Sequence, residues 1–117
     1  TSSWEDTSIL NEPALEGGVF TATSQLFQKD IKRIYEKTFV KDMPKVAMIA
    51  YDILALLIAI EKDKKTVNIN DLINKEGFLG LRGLFRLSKT GIVERSLDLK
   101  IIKNKKFIVH EKANNFF

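Results

Sequence analysis

The sequence predicts an α/β protein, and three observations carry that reading. A short β-branched and aromatic segment, Val19-Phe-Thr-Ala-Thr23, feeds an amphipathic stretch with helical spacing. An apolar run from Ala47 to Ile60 follows, and the last third, from Phe78 onward, is punctuated by glycines and tight turns as β-hairpins are. In full, the expected elements are helices 25-39, 44-62 and 70-76 followed by β-hairpins 84-102 and 93-109.

At the start, residues 1–16 collect turn formers and acids around a few apolar anchors, which suits an irregular surface segment ended by Gly17-Gly18. Val19 to Thr23 is then a short strand, with Ser24 placed to cap the helix behind it. In that helix Phe27, Ile31, Ile34, Tyr35 and Phe39 recur on one side while Lys29, Lys32, Arg33 and Lys37 take the others. Asp42 and Pro44 open the second helix, since Asp is a good cap and proline is tolerated in a first turn. Its apolar run is interrupted only by Asp52, and a helix apolar all round is a buried one. At about 1.5 Å per residue the run spans roughly 21 Å, short of the roughly 30 Å of a bilayer interior, so it reads as a core helix. Asn70 to Glu76 reads as a short helix with Asn70 as cap and Gly77 as stop.

The hairpins come last. Gly77, Gly80 and Gly83 mark backbone that bends or approaches a neighbour closely. Leu84 to Leu87 is a strand, Ser88 to Gly91 a turn, and Val93 to Ile102 a longer strand. In it Leu97, Leu99 and Ile101 alternate with Ser96, Asp98 and Lys100, so the leucine face is expected to pack and the polar face to meet solvent. Asn104-Lys105 turns the chain into Phe107-Ile-Val109.

Composition bounds the chemistry. A chain of 117 residues with 44% hydrophobic content can build one small core, which excludes a disordered segment. No cysteine is present, so disulfides, thiolate metal sites and a cysteine nucleophile are excluded. The net charge of +4 is spread out, with local clusters at Lys62 to Lys65 and Lys100 to Lys106 that border turns, and it lacks the basic, aromatic-laced face a nucleic acid would need. The first residue is Thr1, and the chain reads as the downstream part of a longer product.

Few residues offer catalysis. His110, the only imidazole, sits near the end of a strand without an evident base or orienting group. Gly77-x-x-Gly80-x-x-Gly83 is followed by no Gly-Lys-Ser/Thr and precedes a strand, so it is not a phosphate loop. Asp52 either faces a cleft or is stabilised by the start of its helix, and the second reading is favoured. Trp4, beside Ser2 and Ser3, either stacks on a small ligand or anchors its loop to the core near Ile9 and Leu10, and the anchor is favoured. No catalytic residue, cofactor or metal site is expected.

Several segments, in order, resemble the C-terminal third of the type I periplasmic solute-binding proteins, in the branched-chain amino-acid receptor and penicillin-binding-protein activator group. They are Thr1-Ser-Ser-Trp4 with Pro13-Ala-Leu-Glu-Gly-Gly18, Pro44 to Tyr51-Asp52, and Phe78-x-Gly-x-x-Gly83 through Arg86 to Gly91. Leu87-Ser88 stands where that group more often has Phe-Asp. The resemblance implies a fragment of a two-lobed receptor: residues 1–22 in the second lobe, 23–95 in the first, and 96–117 returning to the second. It implies cleft-facing positions at Ser2, Ser3, Trp4 and Val46, a periplasmic location, and a non-catalytic role. That role is to hold a small amino-acid-like solute or to activate a cell-wall synthase by protein contact. Neither lobe would be complete, and the uncovered apolar helix would favour self-association. The alternative is an independent α+β interaction domain that dimerises through that helix.

Overall fold

The structure, a computed structural model, describes residues 2–25 and 28–117, the side chains of Ser2 and Ser3 apart. Three short 3-10 turns, Ser2–Glu5, Thr7–Asn11 and Pro13–Leu15, lead into strand β1 (Val19–Thr23). Helices α1 (Gln28–Phe39) and α2 (Lys45–Lys64) follow, then a 3-10 turn at Ile69–Leu72. Strands β2 (Phe78–Gly80), β3 (Gly83–Leu87), β4 (Val93–Arg95), β5 (Leu97–Lys103) and β6 (Lys106–Glu111) complete the described chain. Phe27, expected on the apolar face of the first helix, lies outside the described residues.

The strands make two separate antiparallel sheets, ordered β1-β5-β6 and β2-β3-β4. Apolar packing is divided in the same way. Phe20, Ala22 and Ile102 are buried in the first sheet under Trp4, Leu10 and Leu15. Met43, Met48 and Leu81 are buried together beneath Ile31 and Tyr35, and Leu56 and Ile60 of α2 meet Phe85 of β3. The radius of gyration, 16.5 Å, exceeds the about 13 Å of a compact domain of this length. Extents of 54 × 35 × 20 Å show the reason: the molecule is a thin, elongated body rather than a sphere around one core. It mixes helix and strand around two small sheets.

Local sequence explains most boundaries. In β1 the alternation buries Phe20 and Ala22 and leaves Val19 and Thr21 outward. Helix α2 ends where Lys65 turns left-handed and donates its N–H to Glu61 O at 2.7 Å, with Lys62 and Lys64 in the last turn where cations are favoured. No described helix is long and apolar enough to cross a membrane.

Four expectations are corrected. Pro44 is itself the residue before α2, its carbonyl accepting from Ala47 N and Met48 N, so Asp42 does not stand at the cap position. The helix expected over 70-76 is only the turn Ile69–Leu72, because the box closes two residues earlier: Asn68 N donates to Asp71 Oδ2 at 3.0 Å. The strand expected from Val93 to Ile102 breaks at Ser96, whose N–H donates to Leu84 O, and its halves join different sheets. The faces of β5 are also reversed, with Asp98 and Ile102 buried and Leu97 exposed. Alternation reveals that a strand has two faces, but not which one turns inward when the inner one carries partnered polar groups.

The Asn68–Asp71 box carries a pH dependence. A hydrogen bond from the Lys64 ammonium, then the Asn68 N–H, holds the Asp71 carboxyl below its ordinary value. A depressed carboxylate contributes stability that is complete above the unfolded value, about 4, and is lost as pH falls through the lower folded value. The Asn68 amide resonance is therefore expected to titrate below pH 4, with the midpoint moving up towards the ordinary carboxylate range in Lys64→Met. A midpoint that ignores the substitution would remove Lys64 as the cause.

Candidate functional site

The two sheets are joined by two chain crossings, one from β1 to α1 through Ser24 and Gln25, the other from β4 to β5 through Ser96. Polar side chains collect at this junction. Glu5, whose side chain is 16% exposed, takes Lys45 Nζ at 2.8 Å from the start of α2 and Lys100 Nζ at 3.8 Å from β5. Lys100, expected to lie in a solvated cluster, is thus held in a wall. Arg82, in the turn between β2 and β3, donates to Thr23 Oγ1 from Nε at 3.4 Å and Nη2 at 3.3 Å. Gln28 Nε2 donates to Leu81 O at 2.9 Å, and Arg95 Nη1 to Arg82 O at 3.2 Å. Burial, with the positive Arg82 nearby, lowers the affinity of Arg95 for its proton, while Asp52 acts the other way.

These groups enclose a cavity of about 140 Å³ lined by Glu5, Thr23, Gln25, Gln28, Lys45 and Arg82 with Met48. It is smaller than the roughly 300–1,000 Å³ of a small-molecule site, and the Glu5–Lys45 ion pair bridges it from one sheet's segment to the other's helix. One carboxylate, two cations and two amides can recognise a small polar or zwitterionic molecule. The hydroxyl there, Thr23 Oγ1, accepts from Arg82.

Of the residues singled out in the sequence, Trp4 packs its ring against Phe20, centroids 5.8 Å apart, as the anchoring reading has it. Val46 is 70% exposed in the first turn of α2, next to Lys45. The side chains of Ser2 and Ser3 lie outside the described residues. His110 is exposed on β6, and among the described residues no group of three or more acids and histidines could hold a metal.

Asp52 differs from expectation. It lies eight residues into α2, beyond the reach of the helix start, and is 6% exposed. Its Oδ1 accepts from Leu81 N at 2.7 Å, fixing the β2–β3 turn that presents Arg82. It also lines a cavity of about 660 Å³ between α1, α2 and β2. Its Oδ2 is sealed from solvent and without a partner among the described residues, closed over by Gly80, so the cavity does not reach it.

Asp98 and Ser24 were also missed. Ser24 Oγ donates to Asp98 Oδ1 at 2.6 Å, and both are buried, while the N–H groups that a Ser24 cap would serve lie at 26 and 27, outside the described residues. Glu5 was legible only as half of an adjacent acid pair, and its partners lie 40 and 95 residues away.

No family model matches this sequence, and no curated protein matches it. Two solved structures do match its fold. A protein of Rhodospirillum rubrum described as a branched-chain amino acid ABC transporter superposes over 92% of this chain with a TM-score of 0.72 at 16% identity. The leucine-binding protein LivK of Thermotoga maritima superposes over 88% with a TM-score of 0.51 at 19% identity. This chain spans about a third of each, 35% and 32% of their lengths. The segments that resemble type I periplasmic solute-binding proteins in sequence are therefore arranged in space as a portion of that fold.

Proposed function

We propose that this chain is a portion of a two-lobed, non-catalytic solute-binding receptor of the periplasm, and that its ligand is a small amino-acid-like solute. The first sheet, with residues 2–22 and 97–111, is its share of one lobe; α1, α2 and the second sheet are its share of the other. The observation that carries the reading is the junction itself. The chain superposes over 92% of its length on a protein described as a branched-chain amino acid transporter, and it carries a polar mouth between its own two sheets, which supports this reading. There Glu5 can pair with an ammonium, and Lys45 and Arg82 with a carboxylate, once the Glu5–Lys45 bridge exchanges partners.

Trp4 supplies the test, because it is the only tryptophan and is adjacent to Glu5. Leucine added to the chain is expected to change its tryptophan emission saturably and to raise its denaturant midpoint, while succinate, which has no ammonium, does neither. Glu5→Gln is expected to weaken the response at least tenfold. A flat leucine titration together with an unmoved midpoint would sink the solute reading and leave activation of a cell-wall synthase by protein contact.

A specific observation favours a second reading, an interaction domain that dimerises through α2. Ile49, Ile53, Leu54 and Ile58 of this helix are 38–59% exposed, and Phe39 at the end of α1 and Val40 just beyond it are exposed with them. Light scattering across a dilution series separates the two, since a dimer of defined mass dissociating to one cooperative monomer supports the interaction domain.

A further inference from the structure

We propose that the segment 112–117 is a strap that fixes the angle between the two sheets, with Phe117 as its clasp on the second sheet. The strap leaves β6, a strand of the first sheet, and its root is pinned there by Ala113 N donating to Asp98 Oδ1 at 2.8 Å. The same oxygen accepts from Ser24 Oγ at 2.6 Å, so one buried carboxylate ties the strap to β5 and to the β1–α1 crossing. The far end crosses to the second sheet. There the Arg86 guanidinium carbon lies 4.3 Å from the centroid of the Phe117 ring, within the range of a cation–π contact.

The seat for that ring is built. A Cβ at Gly77 would come within 2.8 Å of Phe117 Cε2 and 2.7 Å of Phe85 O, and the backbone there has φ +78°, so only glycine admits the ring at this place. Arg86 is itself fixed, donating from Nε to Glu94 Oε2 at 2.6 Å and from Nη1 to Lys75 O at 3.1 Å. The clasp thus meets a prepared cation rather than a mobile one.

Position gives the contact its effect. The β2–β3 turn faces the junction, with Arg82 on Thr23 and the Gly83 backbone against Ser24. Gly77 and Arg86 lie towards the opposite end of that hairpin. Two crossings define an axis about which the sheets can pivot, and a third tie placed away from it resists the rotation. The four steps from Ala113 to Phe117 reach at most about 14 Å, so a strap held at both ends has little slack. It would act as a releasable stop: with Phe117 seated, the mouth at Glu5, Lys45 and Arg82 has one width, and with Phe117 free it has a range. This holds whatever the mouth binds.

The absence of cysteine allows the test in the full chain. Exposed Lys89, in the turn of the second sheet, and Lys103, at the tip of the first, are replaced by cysteine and spin-labelled, and the distance between labels is measured by pulsed electron resonance. The parent is expected to give one narrow distribution, and Phe117→Ala one displaced or broadened by several ångströms. Phe117→Tyr is expected to restore the parent and Phe116→Ala, at a 73% exposed neighbour, to resemble it. The Arg86 Nε–H resonance reports the clasp itself and should lose its ring-current shift only in Phe117→Ala. An unchanged distribution in Phe117→Ala overturns the strap, and so does an equal displacement in Phe116→Ala.

Discussion

Ile102→Ala is expected to remove about 2–5 kcal/mol of stability, the usual cost of deleting a large aliphatic side chain from a packed core. Ile102 is 1% exposed, the most completely buried large side chain among the described residues. It stands on the central strand of the first sheet, over Phe20 and Ala22, with Trp4, Leu15 and Phe107 around it. Its backbone is engaged as well: Gly17 N donates to its carbonyl at 2.8 Å, and its own N–H donates to Gly18 O at 2.9 Å. Those bonds limit how far the strand can shift to fill the cavity left by truncation. Among the described residues each apolar cluster contains three buried residues, so one truncation removes a large part of its cluster. Trp4 emission against denaturant reports this sheet, and Ile102→Val, expected to cost about 0.5–1.5 kcal/mol, calibrates it. A cost below about 1 kcal/mol for the alanine variant would show that the sheet relaxes around the void.

What could be read from the sequence was whatever depends on neighbours. Val19 to Thr23 alternates and forms a strand with those bounds, and α1 ends at Phe39 where its periodicity stops. The turn at Asn104-Lys105 joins β5 to β6 as its residues suggest. Contacts across the chain were not legible. Ser96 lies in an unbroken alternating run, and nothing local says that β4 pairs with β3 while β5 pairs with β1. The reversed faces of β5 have the same origin. Asp98 is tolerated inside only because Ser24, 74 residues earlier, and Ala113, 15 residues later, donate to it. At the mouth, Glu5, Lys45 and Arg82 come from three distant segments, and each alone is an ordinary surface charge. The apolar run of α2 was legible in composition but not in burial: of its residues only Met48, Asp52, Leu56 and Ile60 are buried. That i, i+4 stripe, with an acid inside it, shows which side this chain covers.

The acid in that stripe leads to the second large effect. Gly80→Ala would place a Cβ 2.5 Å from Asp52 Oδ2, 2.6 Å from Cγ and 2.8 Å from Oδ1, closer than real contacts allow. Asp52 is a short side chain on a rigid helix, and its one described bond, to Leu81 N, would be broken by any retreat. Gly80→Ala is therefore expected to cost at least the about 1–3 kcal/mol of leaving a buried N–H unsatisfied, with the clash in addition. Asp52→Ala should cost about 1–3 kcal/mol by the same orphaned N–H, partly offset because the unpartnered Oδ2 leaves with it. Asp52→Asn, which keeps an acceptor at Oδ1, should cost less than either. The pair also makes a sharper claim. In the Asp52→Ala background the space needed by the new methyl is vacant and the Leu81 bond is already gone, so Gly80→Ala should add little. The double variant is then expected to be at least about 1 kcal/mol more stable than the sum of the singles, a coupling typical of touching residues. Strict additivity would separate Gly80 from Asp52, and the β2–β3 turn that carries Arg82 to the mouth would have to be held by something other than this carboxylate.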